Sequence, residues 1–117
     1  MTLIANILTG IVALLHIGFL ILEMFLWDHP FGRRTFRMTP EYSKASASLA
    51  ANQGLYNGFL AAGLIWGLVI NDFAVKAFFL ICVLLAGMYG GLTTKRMILY
   101  LQALPGLLAL VFLYLVG

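Results

Sequence analysis

Apolar residues fill four long runs along the chain, broken by three short polar segments. The runs extend over about residues 3–27, 49–70, 73–92 and 97–116. Each is close to the roughly 20 apolar residues an α-helix needs to cross a hydrocarbon core about 30 Å thick. They are unbroken, unlike the weak alternation over about ten residues that marks the strands of a membrane barrel. The pattern predicts an all-α chain, an integral membrane four-helix bundle forming one domain over residues 1–117.

The polar segments carry start and stop signals. His29-Pro30 ends the first helix, and Arg33, Arg34 and Arg37 then alternate with Phe31, Phe36 and Met38. That composition suits a loop or a short element lying against lipid headgroups. In Thr39-Pro40-Glu41 a capping hydroxyl, a proline at the first helical position and an acid in the first turn start the second helix near Pro40. Its first turns, rich in Ser and Ala, extend from the membrane before Leu49. Asn71-Asp72 makes a tight connection with Asp72 as the cap of the third helix. Gly90-Gly91 helps to end that helix, Thr93-Thr94-Lys95-Arg96 turns the chain, and Pro105-Gly106 is placed to bend the fourth.

Composition strengthens this picture. The chain of 117 residues is 63% hydrophobic and 9% charged, against about 45–50% and about 25% in a soluble domain. Its net charge of +3 comes from basic residues beside apolar spans, which reads as topology and headgroup contact, not as binding of nucleic acid. The first loop carries Arg33, Arg34, Arg37 and Lys44 and the third Lys95 and Arg96, whereas the second connection has Lys76 alone. Six against one puts the basic loop 28–48 in the cytoplasm and both termini outside. The single cysteine, Cys82, lies in an apolar run and allows no intrachain disulfide. The first run is longer than the core of a secretory signal and no small-residue cleavage site follows it, so it is kept as a span.

In such a chain the polar membrane residues are the informative ones. Asn6, Thr9, Ala13, His16, Glu23 and Trp27 follow one another along one stripe of the first helix. At about 1.5 Å per residue Glu23 lies roughly 6 Å inside the Trp27 interface and His16 roughly 16 Å, near the midplane. A carboxylate at that depth either pairs or takes up a proton. The second helix carries Asn52, Gln53, Tyr56 and Asn57 at the cytoplasmic end, where Tyr89 with Thr93, and Tyr100 with Gln102, also fall. Together with His16 and Glu23, the residues Asn52, Gln53, Tyr56, Asn57, Tyr89 and Gln102 are the candidates for binding a ligand or handling protons. Small residues at Ala50, Gly54, Gly58 and Ala62, with Gly63 and Gly67, and Gly87 and Gly91, let helices approach closely.

The strings Glu23-Met-Phe-Leu-Trp27 and Asn52-Gln-Gly-Leu-Tyr-Asn-Gly-Phe-Leu-Ala-Ala-Gly63, in that order in so short a chain, resemble the bacterial membrane proteins of domain-of-unknown-function family 1304. The resemblance covers the whole chain. It implies a four-helix protein of the bacterial cytoplasmic membrane and no particular activity.

Each candidate also has a structural reading. Glu23 can be an ion pair with Arg33, Arg34, Lys95 or Arg96; His16 can bond a neighbouring carbonyl; the amides can join helices; the tyrosines can form an interfacial belt. No metal-ligand spacing, phosphate-binding loop or nucleophile motif is present, and no cofactor or metal is implied. Three functions remain open. The first is binding or transport of a small solute or ion, coupled through Glu23 to protons or cations. The second is an intramembrane enzyme acting on a lipid, isoprenoid or quinone, with Glu23 and His16 as acid and base, although seven residues of helix separate them by about 10 Å. The third is a structural or assembly subunit of a membrane complex. The expected partners are membrane lipids and a small solute or ion, and a homo-oligomer stays open.

Overall fold

A computed structural model describes residues 2–117. In chain order the elements are α1 (Thr2–Met24), α2 (Pro30–Phe36), α3 (Pro40–Val69), α4 (Phe73–Thr93), a π-helical segment (Leu99–Ala103) and α5 (Leu104–Val116). No strand occurs among the described residues.

Local chemistry explains most of these bounds. α1 stops at Met24, before Trp27, because the N–H groups of Phe25 and Leu26 both turn back to the Ile21 carbonyl at 3.0 and 3.2 Å. The arginine-rich segment is helical: Pro30 opens α2, and Arg37 closes it in a left-handed conformation (φ 54°). The Arg37 N–H reaches the Arg33 and Arg34 carbonyls and Met38 N–H the Arg33 carbonyl, which satisfies the helix end. Thr39 Oγ1 accepts from Tyr42 N–H at 3.1 Å at the start of α3. Asp72 Oδ1 caps α4 through Val75 N–H at 2.9 Å, after Asn71 turns the chain at φ 51°, a conformation Asn tolerates. Near the last helix Pro105 has no N–H for the Leu101 carbonyl, and its ring crowds that oxygen. The helix answers by widening: Leu104 N–H reaches five residues back to Leu99. The expected bend at Pro105-Gly106 thus takes the form of a π-helical turn.

Three helical stretches are long and apolar enough to cross a membrane: Thr2–Met24, Phe73–Thr93 and Leu99–Val116. These mark a membrane protein. α3 is the longest helix at 30 residues, but Asn52, Gln53 and Asn57 interrupt its apolar stretch and it does not join the three.

The chain divides into two compact units, one of Met1–Leu15 with Leu60–Gly117 and one of His16–Phe59. The first unit has an apolar core of Val12, Ala13, Leu64, Ala77, Leu80, Val83, Ala109 and Leu113. Close helix approaches frame it. A side chain at Gly63 would strike the Phe79 ring, one at Gly67 the Lys76 stem, and one at Gly87 the backbone of Ala103. Lys76 is itself buried, its Nζ donating to Asn6 Oδ1 and Asn71 Oδ1, each at 3.1 Å.

The second unit has a polar interior. His16, Glu23 and Ser43 are buried in it, beside Ala50. Gly32 lies against the backbone of Leu26 and Trp27, and Gly54 and Gly58 lie against Leu20. Of the small-residue ladder on α3, Ala50, Gly54 and Gly58 pack inward to some degree, whereas Ala62 is exposed.

Candidate functional site

The second unit brings α1 and α3 together around one carboxyl group. Glu23 sits in the last turn of α1 and is 7% exposed. Gln53 and Asn57 are four residues apart and so lie on one face of α3. Gln53 Nε2 donates to Glu23 Oε2 at 2.6 Å, and Asn57 Nδ2 donates to Oε1 at 2.5 Å. Each carboxylate oxygen therefore accepts one amide N–H. Because an ionised carboxylate only accepts, both amides must turn their NH2 groups inward, which leaves Gln53 Oε1 and Asn57 Oδ1 as acceptors beside the charge.

Gly54 makes this convergence possible. A Cβ there would meet Met24 Cγ at 2.7 Å, Glu23 Cβ at 3.0 Å and the Leu20 carbonyl at 3.3 Å. With no side chain at 54, the α3 backbone comes near enough for the short Asn57 side chain to reach the acid.

The structural reading of Glu23 as an ion pair with Arg33 or Arg34 does not hold within this unit. Arg33 Nη1 instead pairs with Asp28 Oδ1 at 3.0 Å and also donates to the Asp28 carbonyl at 3.0 Å. Asp28 accepts a further bond from the buried Ser43 hydroxyl at 2.6 Å. That hydroxyl, with the Arg33 guanidinium beside it, holds the Asp28 carboxyl below the usual aspartate range. Trp27 Nε1–H donates to Ser46 Oγ at 3.0 Å, and its ring lies 4.9 Å from that of Phe36, so α2 and the start of α3 are tied to the turn that follows Glu23.

The other expected site residues are placed differently. His16 lies two turns before Glu23 on α1, fully buried, and meets the Phe19 ring edge-on at 5.1 Å. Asn52 is exposed and makes no side-chain hydrogen bond among the described residues. Tyr56 is exposed and touches Phe59 edge-on at 5.8 Å, on the outer surface of α3. Tyr89 and Gln102 belong to the other unit, where Tyr89 is exposed and Gln102 half-buried. Glu23, Gln53 and Asn57 are the members that meet. Sequence reasoning assigned Lys76 to a connection and missed its burial. The clue was the pair of amides, Asn6 near the start of α1 and Asn71 in the turn before α4.

Comparison with known proteins agrees with the family resemblance of the sequence. Residues 10–114 match the family described as "Protein of unknown function (DUF1304)". The chain is similar to the "Uncharacterized protein YpaA" of Lactococcus lactis subsp. lactis (strain IL1403), 32% identical over 115 residues that cover 95% of this chain and 97% of the relative. No solved structure matches. With nearly all of its length inside the family match, this chain belongs to the DUF1304 family.

Proposed function

We propose that this protein crosses the bacterial cytoplasmic membrane four times, with both termini outside, and binds or transports a small solute or ion at Glu23. In this reading α3 is the fourth span. Its 30 residues measure about 45 Å at 1.5 Å per residue, more than the roughly 30 Å of hydrocarbon. Two of the three amides that lower its apolarity, Gln53 and Asn57, are bonded to Glu23. The basic residues of α2 and of the start of α3 then lie at the cytoplasmic surface among lipid headgroups.

One observation carries the reading: a buried acid on a membrane helix is held by two amides of another helix and by no basic residue of its own unit. Acids inside membrane segments are costly, and they mark paths for ions, protons or solutes. The amides fix the carboxyl's orientation without neutralising it. The group thus keeps the capacity to take a proton or a cation, while the amide oxygens beside it offer further contacts to a ligand. Proton coupling follows when the same carboxyl exchanges its ligand for a proton.

Purified protein reconstituted in liposomes provides the test. Uptake or binding of a solute from a broad panel, abolished by Glu23→Gln, is the expected result. A variant that matches the wild type for every solute would sink the reading.

A further inference from the structure

Within its own unit the Glu23 carboxyl is given no compensating positive charge. No basic side chain of its unit pairs with it, since Arg33 is committed to Asp28. No basic residue occupies the last turn of α1. The carboxyl also sits at the end of a helix where carbonyl groups run out of partners. The N–H groups of Phe25 and Leu26 both go to Ile21, and no N–H among the described residues reaches the carbonyls of Leu22 or Glu23. A helix C-terminus carries about half a negative charge and favours lysine, arginine or histidine. An acid placed there, buried, is set against both its own helix and its surroundings. Other acids of the chain are arranged conventionally: Glu41 lies in the first turn of α3, and Asp72 caps α4. Glu23 alone is reversed.

Charge that its unit leaves uncompensated in a low-dielectric site is met by a proton or by a cation bound from outside. Resting on the reading of Glu23 as a ligand site, we propose that its ligand is a small monovalent cation, bound by the carboxylate and by the amide oxygens of Gln53 and Asn57 beside it. Neutral and anionic solutes are excluded. One carboxylate with amide oxygens gives a hard-oxygen site of single negative charge. The several His, Cys, Asp or Glu ligands of a divalent metal centre are not gathered anywhere among the described residues. Entry is from the side of Gln53, which is exposed while Glu23 is not. The same oxygens suit an alkali ion or a protonated primary amine.

The test uses full-length protein in nanodiscs, with glutamate side-chain carboxyls labelled for NMR and N-methylglucamine as the background ion. Sodium, potassium and methylammonium are titrated separately, with urea and inorganic phosphate as neutral and anionic probes. The expected result is a saturable shift of the Glu23 carboxyl signal with at least one of the three cations. Which of them acts separates an alkali ion from an amine. Asn57→Leu should weaken the response by about tenfold, and Glu23→Gln should remove all saturable cation binding, whereas Glu23→Asp, which keeps the charge, should retain it. Cation binding that persists in Glu23→Gln overturns the inference. So does saturable binding of urea or phosphate at Glu23 with none of the cations, although a solute site at Glu23 then stands. Silence of all five probes on wild-type protein overturns the cation assignment, and the solute reading falls with it only when the broad liposome panel is also silent.

Discussion

The Cβ that Gly54 lacks would stand 3.0 Å from the Cβ of Glu23. The acid is therefore held by a gap in a side-chain pattern as much as by its hydrogen bonds. Gly54→Ala forces Met24, Glu23 or the helix itself to shift, and Gly54→Leu forces a larger movement. We expect a loss of about 1–3 kcal/mol for the alanine, at the level typical of overpacking, and failure of any Glu23-dependent binding in the leucine variant. Thermal unfolding in mild detergent reads the first, and the liposome assay the second.

Asp28 supplies a pH dependence. Its carboxyl titrates below the ordinary aspartate range because Ser43 and then Arg33 favour the charged form. A depressed folded value gives stabilisation that is present above the unfolded value and lost as pH falls through the folded one. The unit containing α2 should therefore loosen on acidification into and below the normal aspartate range. Ser43→Ala should flatten that acid limb, so that stability varies less with pH through and below the ordinary aspartate range than in the wild type. Trp27 fluorescence against pH reports it, since the indole is bonded to Ser46. An unchanged acid limb in Ser43→Ala would count against the assignment.

Lys76 leads to an asymmetric expectation. Asn6→Leu or Asn71→Gly leaves a buried ammonium short of an acceptor, whereas Lys76→Met removes the charge and its demand together. Leaving a buried donor unsatisfied costs about 1–3 kcal/mol, and more for a charged group, while replacing the polar set with apolar groups is nearly neutral. Lys76→Met should be milder than Asn6→Leu, and the double variant should recover stability relative to Asn6→Leu. Equal, additive losses in denaturation midpoints would contradict this.

Two glycines of α4 separate by surroundings. A Cβ at Gly87 would meet the Ala103 backbone nitrogen at 2.6 Å, while one at Gly90 would meet the Ile98 side chain, Cδ1 and Cγ2, at 3.4 Å. Gly87→Ala should destabilise clearly, by about 1–3 kcal/mol. Gly90→Ala should be neutral or slightly stabilising, since alanine is the better helix former by about 1 kcal/mol. Paired melting curves decide it.

Much of this could be read from local chemistry. Pro40 and Asp72 start their helices through capping groups adjacent in sequence, and Gln53 and Asn57 share a face because four residues make roughly one turn. Their meeting with Glu23 followed from common depth and the rule that a buried acid needs partners. Depth does not fix direction around a helix, however, so Tyr56 and Asn52 share the depth of the acid and are exposed without bonding to it. The ladder ending at Ala62 fails for a related reason: four-residue steps drift by about 40° each at 100° per residue, and three steps carry Ala62 off the packed face. The burial of Lys76 was hidden because the charge count treats every lysine beside a span as solvated, and its partners are remote in sequence, with Asn6 70 residues away.

The π-helical turn at Leu99–Ala103 has a consequence for chain length. A turn closed by a bond five residues back holds one residue more than an α-helical turn. Removing one residue there restores an ordinary turn and leaves Ala109 and Leu113 facing the core. The same deletion further along α5 rotates both away by about 100°. Relatives one residue shorter can therefore drop it between 99 and 103 and keep the packing of everything that follows, which makes this segment the natural position for a gap when members of the family are aligned.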